Sequence, residues 1–586
     1  MSANSNLNMT RQRATLACEL CRSRRTKCDG RRPTCSFCEG HDFQCTYRIA
    51  GPPVPSKNEV EINAIRERLD QICDLLSLRL VSSFATPPNA PGFVLPRFDD
   101  YPLDESIISR TWRVEFPFMT IQTPSMMCLV GLNPRLAAQM VTLERTDLSM
   151  LTPPGEPPGF RIQYQDAISA FAAFYDKIHH CYPILPPEFF SLYLEKIAGT
   201  GAPSTDSFLV LIVAAIGSVV RCSSIPVALE KRPDAAYIAK ALSMLPHVHF
   251  EFSLSSVQCL LLLSIYYNCL AKPCQAHDYV LMASCKAQAL FKCHLYENDN
   301  TATELLRRSF WSILVIETEL GYHIDMPESN IWKFDDRILL PGIHGSWQPF
   351  RDDQRHLLGP MLSPNSITQN DMKAYFLADI SMRRMIRRCT TSVTISHDRE
   401  VYAPIIAAEL AQQLESWYDH LPLSLRFERP GLNSSLPGTP FDYANLHLSS
   451  GLSSVRRLLQ IRYYTCLAGI YWPAVYSIVY ADTASPATLA DCSRFFEAYI
   501  GFVSNAESAI QASPHCLWSI YASLFITSLA ALKGSQSPAL QATIPSAAIR
   551  GLAAAAEIFE RGEVVSTSPS LGMIKQILIE RIRQYV

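Results

Sequence analysis

Six cysteines near the N-terminus limit what this part of the chain can fold into more strongly than any other feature. They follow the spacing C-x2-C-x6-C-x6-C-x2-C-x6-C and are Cys18, Cys21, Cys28, Cys35, Cys38 and Cys45. The spacing is an internal repeat, because CELCRSRRTKC and CSFCEGHDFQC both read C-x2-C-x6-C. Clustered thiols in repeated C-x2-C pairs are typical of metal sites in proteins of reducing compartments.

Zinc is the metal that this cysteine set fits. Six thiolates cannot form two separate sites of four ligands, but two zinc ions are both four-coordinate if two cysteines bridge them. Equivalent positions of the two repeats favour Cys18 and Cys35 as the bridges. A secreted disulfide framework would need a signal sequence, and MSANSNLNMTRQR lacks the apolar segment of one. An iron–sulfur site usually has four cysteines at a different spacing.

Charge is divided unevenly along the chain and between the two repeats. Residues 1–48 hold nine Lys and Arg against four Asp and Glu, while the whole chain has a net charge of −2. The second repeat carries only Glu39 and Asp42. The cations of the first repeat are Arg22, Arg24, Arg25 and Lys27. We therefore expect the helix of the first repeat to enter a DNA groove, where arginine suits guanine. A solvated basic face or a nuclear import signal is the alternative.

The segment CELCRSRRTKCDGRRPTCSFCEGHDFQCTY resembles the DNA-binding module of the fungal binuclear zinc cluster transcription factors. The resemblance rests on the cysteine spacing, Lys27 before Cys28, Asp29 after it and Pro33 in the joining loop. It implies a nuclear regulator of RNA polymerase II transcription that reads CGG triplets and works with transcriptional coregulators. By position, Arg24 and Arg25 correspond to base-reading residues, and Arg22 and Lys27 to phosphate contacts.

A short heptad pattern follows a proline-containing tether. Its a and d positions are Ile62, Ile65, Leu69, Ile72 and Leu76. This spacing predicts a parallel coiled coil of about two heptads, and hence a homodimer. The same stripe could instead pack a helix onto the rest of the chain. The resemblance implies the same order of zinc cluster, linker and coiled coil.

The remaining sequence predicts a mostly α fold. Helix-period apolar segments dominate from about residue 161, and no span fits a membrane helix better than a buried one. Segment 174–190, SLSSVQCLLLLSIYY and the Arg307–Trp311 helix resemble the family's middle regulatory domain. The predicted division is a flexible tail (1–14), a binuclear zinc cluster domain (15–48), a linker (49–57), a coiled coil (58–81), a Pro-rich linker (82–160) and an all-helical regulatory domain (161–586).

An enzymatic body is the competing interpretation. The close polar pairs are His179 and His180, His247 and His249, Asp335 and Asp336, and Asp352 and Asp353. None has the spacing of a metal site or a catalytic triad, so surface or packing roles are expected. A zinc-cluster repressor, and a ligand-binding or enzymatic helical domain with an appended DNA module, are the alternative functions. The resemblance also implies a small-molecule inducer; the sequence predicts no membrane partner.

Overall fold

The computed structural model describes residues 17–47, 124–147, 163–198, 203–359, 362, 367–389, 393–396, 399–429, 450–481 and 485–585. The chain divides into two compact units, Met1–Leu103 and Asp104–Val586. We call residues 17–47 the cysteine module and the described residues from 124 onward the helical body. The predicted dimer residues, from Ile62 to Leu76, lie outside the described residues.

The cysteine module contains two short helices, α1 (Glu19–Ser23) and α2 (Ser36–Glu39). Each begins directly after the first cysteine of a repeat, Cys18 or Cys35, whose extended backbone serves as the N-cap. The two repeats therefore fold in the same way, as their common spacing predicts.

The described part of the helical body consists mainly of α-helices. Its first helices are α3 (Pro124–Leu129), α4 (Leu136–Thr146), α5 (Tyr164–Phe174), α6 (Phe189–Ala198), α7 (Thr205–Arg221), α8 (Ile225–Lys231), α9 (Ala235–Ser243), α10 (Leu245–Phe250), α11 (Leu254–Cys269), α12 (Pro273–Lys292) and α13 (Asn300–Gly321). The later ones are α14 (Arg355–Leu358), α15 (Gln369–Cys389), α16 (Pro404–Asp419), α17 (Ser450–Ala481), α18 (Pro486–Ala512), α19 (Leu517–Ser535), α20 (Ser546–Arg561) and α21 (Pro569–Tyr585).

Shorter elements fill some of the connections. A π-helical turn, Tyr175–His179, extends α5, and 3-10 turns are found at Ile331–Phe334, Asp352–Gln354, Pro514–Cys516, Pro538–Thr543 and Glu563–Ser566. Strands β1 (Val393–Ser396) and β2 (Arg399–Tyr402) form an antiparallel hairpin in which Val393 pairs with Tyr402. The mostly α prediction is confirmed, with this hairpin as the addition.

Side-chain caps begin several of the buried helices. The Ser204 hydroxyl accepts the amide of Ser207 at 3.1 Å before α7, and Ser253 accepts that of Ser256 at 3.1 Å before α11. Asp299 accepts two amides at the start of α13. Each cap satisfies a donor that the first helical turn would otherwise leave unpaired, which matters most for helices that lie inside the core.

Two polar side chains of the quoted motifs fix the loop after the π-helical turn. Gln258 of α11 donates to the carbonyl oxygen of Ile184 at 2.6 Å, and Arg308 of α13 donates to that of Pro183 at 2.9 Å. Both side chains are buried. Their hydrogen bonds satisfy carbonyls that no regular ladder serves, so these residues position the loop inside the core.

Close helix packing explains one glycine of the core. A Cβ built at Gly217 of α7 would lie 1.9 Å from the carbonyl oxygen of Ala170 in α5. Only glycine allows these two backbones to approach so closely.

The body begins earlier than the sequence predicted. Residues 124–147, assigned to the Pro-rich linker, contain α3 and α4, and Leu136 and Met140 are buried in the core of the body. Glu144 of α4 also accepts the hydroxyl of Ser570 at the start of α21, at 2.5 Å. The prolines on either side of α3 and α4 dominate the composition of segment 82–160 and conceal these short helices.

One stretch of the described chain, Pro514–Ser535, is long and apolar enough to cross a membrane. Its apolar window is fully buried inside the body. This stretch includes α19, one of the segments that the sequence predicts to be a buried helix.

Candidate metal centre and nucleic-acid interface

The cysteine sulfurs converge in two overlapping groups. Within each group every pair of Sγ atoms lies within 4.8 Å. One group is Cys18, Cys21, Cys28 and Cys35, and the other is Cys18, Cys35, Cys38 and Cys45. The two groups share Cys18 and Cys35, the pair that the sequence repeat favours as bridges.

The spacing of these sulfurs fits tetrahedral zinc. The Sγ atom of Cys18 lies 3.7 Å from that of Cys35 and 3.7 Å from that of Cys38, and Cys21 lies 3.7 Å from Cys35. Four sulfurs placed tetrahedrally at about 2.3 Å from zinc are about 3.8 Å apart. The donor set and its geometry therefore match two four-coordinate zinc ions.

One hydrogen bond from a backbone amide to a sulfur recurs in both repeats. The amide of Cys18 donates to the Sγ atom of Cys28 at 3.5 Å, and the amide of Cys35 donates to that of Cys45 at 3.4 Å. Hydrogen bonds of this kind stabilise thiolates and orient them as metal ligands. The third cysteine of each repeat is thus tied to the first.

Two side chains outside the cysteine set organise the joining loop. The carboxylate of Asp29 accepts both the amide (3.1 Å) and the hydroxyl (2.5 Å) of Ser36 at the start of α2. The hydrogen bonds from Ser36 lower the pKa of the Asp29 carboxyl. The Tyr47 hydroxyl donates to the carbonyl oxygen of Arg31 at 2.9 Å and lies 3.7 Å from the Cys28 sulfur. Sequence reasoning noticed Asp29 only as part of a pattern and missed Tyr47.

The four predicted DNA-contacting residues are exposed, but only one lies within a helix. Arg22 belongs to α1, Arg24 is its C-cap, and Arg25 has a left-handed backbone with φ 54°. Lys27 follows in the extended segment that returns to Cys28. The sequence predicted a basic helix, whereas the structure places most of the basic run after it. The chain must leave the helix there because the third cysteine has to reach the metal.

Asp42 of the second repeat occupies the position equivalent to Arg25 and has the same left-handed backbone, with φ 53°. At this position the two repeats therefore have the same backbone conformation but side chains of opposite charge. The cationic surface of the module comes from the first repeat and from Arg31 and Arg32 of the joining loop, which are also exposed.

The helical body contains a group of buried charges that sequence reasoning did not find. We call it the buried ion network: Asp379 and Arg383 of α15 and Arg462 of α17, which are buried, together with Glu319 of α13, whose side chain is 12% exposed. Arg383 pairs with Glu319, and Arg462 pairs with Asp379 and, at 3.0 Å, with Glu319. Burial opposes the ionisation of Glu319, but the two arginines outweigh it and hold its pKa at about 2.

A cavity of about 40 Å³ adjoins this network. Its lining includes Glu319, Arg383, Arg462 and His323. Burial lowers the pKa of His323 to about 4, so this imidazole is neutral at physiological pH. The only sequence signal for the network was a charged residue within an otherwise apolar helix, such as Arg462 in IRYYTCLAGIYW.

The polar pairs considered as catalytic candidates are dispersed. His179 and His180 are buried, and burial lowers their pKa values to about 3 and about 4. His179 Nε2 lies 2.9 Å from the carbonyl oxygen of Trp347, a packing contact. His247, His249, Asp336, Asp352 and Asp353 are exposed, and Asp335 lies 3.7 Å from Arg384.

Comparison with known proteins identifies two domains in the chain. Residues 16–52 match the fungal Zn(2)-Cys(6) binuclear cluster domain, and residues 172–374 match the fungal specific transcription factor domain. A relative from Aspergillus rugulosus, named "Putative transcription factor ecdB", is 34% identical over an alignment of 600 positions that covers 98% of each chain. This chain belongs to the fungal zinc cluster transcription factors.

Other relatives of this zinc cluster transcription factor match over shorter lengths. The sorbicillinoid biosynthetic cluster transcription factor sor3 of Hypocrea jecorina is 26% identical over 357 residues, 53% of each chain. The quinic acid utilization activator of Emericella nidulans is 51% identical over 41 residues, 7% of this chain and 5% of the relative. No solved structure matches the chain.

Membership gives this transcription factor its general function and cofactor. It is a DNA-binding regulator of transcription, and its N-terminal module binds two zinc ions. The clustered sulfurs of the cysteine module provide the ligands that such a centre requires.

Proposed function

We propose that this transcription factor reads CGG-type triplets of double-stranded DNA through the first repeat of the cysteine module. Arg24 and Arg25 contact guanine edges, and Arg22 and Lys27 contact phosphates. The observation that carries the proposal is that these four exposed cations belong to one repeat, directly beside the clustered sulfurs. Arginine can donate two hydrogen bonds to the O6 and N7 atoms of guanine, whereas lysine binds phosphate as a point charge.

The six cysteines of the module hold the two zinc ions in this proposal, with Cys18 and Cys35 bridging. The support is that these two sulfurs are common to both four-sulfur groups. Because each bridge serves both ions, losing one bridge removes a ligand from both sites at once. Zinc measured per chain in the full-length protein tests the assignment: a single zinc in the wild type would contradict it.

DNA binding by two variants of the full-length chain tests the readout. Arg25→Ala should lose discrimination at one guanine, at a cost of about 1–3 kcal/mol, while Lys27→Ala should weaken all duplexes about equally. The measurement is a fluorescence anisotropy titration, at fixed salt, of a CGG duplex and of duplexes with each base replaced. If both variants lose affinity without a change in preference, the base-reading assignment is wrong.

We also propose that the protein acts as a homodimer through the heptad positions from Ile62 to Leu76. The support is the a and d spacing, one tether after the cysteine module. Two tethered modules would bind two triplets more tightly than one. Leu69→Pro should reduce affinity for a two-triplet duplex towards that for one triplet. Equal affinities for the two duplexes in the wild type would instead indicate a monomeric reader.

For the helical body we propose a regulatory role in the nucleus, in contact with transcriptional coregulators and a small-molecule inducer, without enzymatic activity or a membrane partner. The names of ecdB and sor3 support a transcriptional role, and that of sor3 suggests a secondary-metabolite cluster as the type of target. The dispersed polar pairs support the non-enzymatic role. Mapping of genomic binding sites, with transcript levels in a deletion strain, distinguishes an activator from a repressor.

The proposed domain organisation keeps the predicted boundaries up to residue 81. Residues 1–14 form a tail, 15–48 the DNA-binding domain, 49–57 a linker and 58–81 the dimerisation element. The regulatory body is extended to begin near residue 124, because α3 and α4 pack in its core.

A further inference from the structure

The second repeat of the cysteine module carries no lysine or arginine, yet one of its side chains contacts an arginine of the first. The guanidinium carbon of Arg24 lies 4.4 Å from the centroid of the Phe43 ring. Phe43 is half-buried, and its amide donates to the carbonyl oxygen of Cys38 at 2.9 Å. The backbone that carries the ring is therefore fixed by a hydrogen bond to Cys38, one of the zinc-ligating cysteines.

This contact has no counterpart in the other half of the module. Thr26 occupies in the first repeat the position that Phe43 has in the second, and its amide makes the equivalent bond to the carbonyl oxygen of Cys21 at 3.0 Å. His41 occupies the position equivalent to Arg24 and stacks within its own repeat, on Phe37 with ring centroids 4.5 Å apart and on Phe43 with ring centroids 6.0 Å apart. Among the described residues of the module, another cation also lies over a ring: the guanidinium carbon of Arg32, in the joining loop, is 5.0 Å from the centroid of the Tyr47 ring, and neither residue belongs to a repeat. Between the two repeats themselves, the supported cation is Arg24.

Stacking and base reading use different parts of a guanidinium. The ring of Phe43 takes the flat face, whereas two hydrogen bonds to a guanine use the in-plane N–H groups. Both contacts can therefore exist at the same time. A guanidinium that is held in one plane before binding loses less rotational freedom when it binds. Because the plane is fixed, a base whose acceptors lie in that plane is favoured over the other bases.

We propose that Phe43 is a specificity-determining positioning residue for DNA recognition: it holds the Arg24 guanidinium so that its N–H edge is presented to a guanine. The second repeat then contributes to readout through an aromatic support and not through charge. This inference rests on the proposed reading of guanine by Arg24.

A double-mutant cycle on the full-length, zinc-loaded chain tests the proposal. Wild type, Phe43→Leu, Arg24→Ala and the double variant are titrated with a CGG duplex and with duplexes in which each base is replaced. Phe43→Leu should lower affinity for the CGG duplex by roughly two- to fivefold. The loss should be concentrated at the base whose discrimination Arg24→Ala removes, and Phe43→Leu should have no further effect when Arg24 is already alanine.

Three further variants separate positioning from folding. Phe43→Trp keeps an aromatic face and should restore discrimination, while Phe43→Met keeps apolar bulk without the face and should behave like leucine. Phe37→Leu removes a ring of the same repeat that stacks on His41 and should leave base preference unchanged. Zinc per chain is measured for each variant, and the methionine variant decides the result if the leucine variant loses zinc.

Two outcomes would overturn the inference. An equal loss from Phe43→Leu with and without Arg24 would mean that the ring only supports the fold, and a gain in affinity would mean that stacking withholds Arg24 from DNA. If the wild-type chain shows no preference for the CGG duplex, the proposed function itself fails. That failure is visible before any variant is compared.

Discussion

The cysteine module and the helical body are stabilised by different means. Within residues 17–47 the fully buried side chains are cysteines, Cys18, Cys21, Cys35 and Cys38, with aromatic rings only partly covered around them. The body buries large apolar side chains, among them Trp311, Trp347 and Trp472, and a paired network of charges. A module with so little apolar core depends on its metal to fold, whereas the body depends on packing. The contrast predicts that the two regions can be disrupted independently.

Removing zinc should give the largest effect and should be confined to the module. Cys18→Ser, or a chelator, should abolish zinc binding and base-specific DNA binding together, since structural zinc contributes about 10–16 kcal/mol to the folding of small zinc peptides. The thermal transition of the body should remain unchanged. Cys285→Ser, at an exposed cysteine of α12, is the matched control. Two zinc ions retained by Cys18→Ser would contradict the prediction.

Breaking the buried ion network should affect only the body. Arg462→Met leaves Glu319 and Asp379 with less compensation, and an unpaired buried charge costs about 3–5 kcal/mol in the free energy of unfolding. The control is Arg561→Met, at a surface pair with Glu557 whose side chains are 68% and 58% exposed. That substitution should change stability by about 0.5 kcal/mol or less.

Urea denaturation of the body measures both arginine variants, and zinc per chain should stay at two in each. Equal stabilities of Arg462→Met and Arg561→Met would show that the network contributes little. A loss of zinc in Arg462→Met would show that the two regions are not independent.

The two regions also differ in how far the sequence predicts them. Regular cysteine spacing is local, so it predicted which sulfurs converge and which two the groups share. It could not predict that α1 ends at Ser23, because the left-handed turn at Arg25 follows from the path back to the metal. The stacking of Arg24 on Phe43 likewise joins residues whose side chains share no sequence periodicity.

In the body, the helical secondary structure was predictable because apolar residues recur at helical spacing. The buried ion network was not, since Arg462 meets Glu319 across 143 positions of sequence. A charged residue in an apolar helix indicates that a partner is needed without identifying it. The sequence allowed for a few short elements within 82–160, but it did not show that α3 and α4 pack in the core of the body, because these helices are short and flanked by proline-rich sequence.

Acidification should destabilise the body through a buried histidine, His323. Burial lowers the pKa of His323 in the folded body to about 4, below its ordinary value of about 6.5. The unfolded chain therefore takes up the His323 proton first as the pH falls, so the contribution of His323 to stability is lost between about pH 6.5 and pH 4 and changes no further below that. The free energy of unfolding should therefore fall less between pH 7 and pH 5 in His323→Gln than in the wild type, by about 2 kcal/mol. Urea denaturation at each pH checks it, and an unchanged slope would contradict it.

The smallest expected effect concerns backbone strain in the module. Asp42 has a φ of 53°, a region that costs an ordinary L-residue about 1–2 kcal/mol and glycine almost nothing. Asp42→Gly and Asp42→Ala both remove the charge, so their difference isolates the backbone. Because folding of the module is coupled to zinc, the glycine variant should bind zinc more tightly than the alanine variant, by about 1 kcal/mol or roughly fivefold. Competition with a chelator measures this ratio.

Asn330 gives the matching comparison in the body, where the backbone is also left-handed, with φ 59°. Asn330→Gly should be more stable than Asn330→Ala by a similar amount, about 1 kcal/mol, because the local strain is the same. Here the difference should be seen in urea denaturation and not in zinc affinity, since the metal-ligand groups found among the described residues lie in the cysteine module. A difference in zinc affinity between the Gly and Ala variants of Asn330, or in denaturation of the body between those of Asp42, would mean that backbone strain in one region affects the stability of the other. Their independent stabilisation would then be disproved.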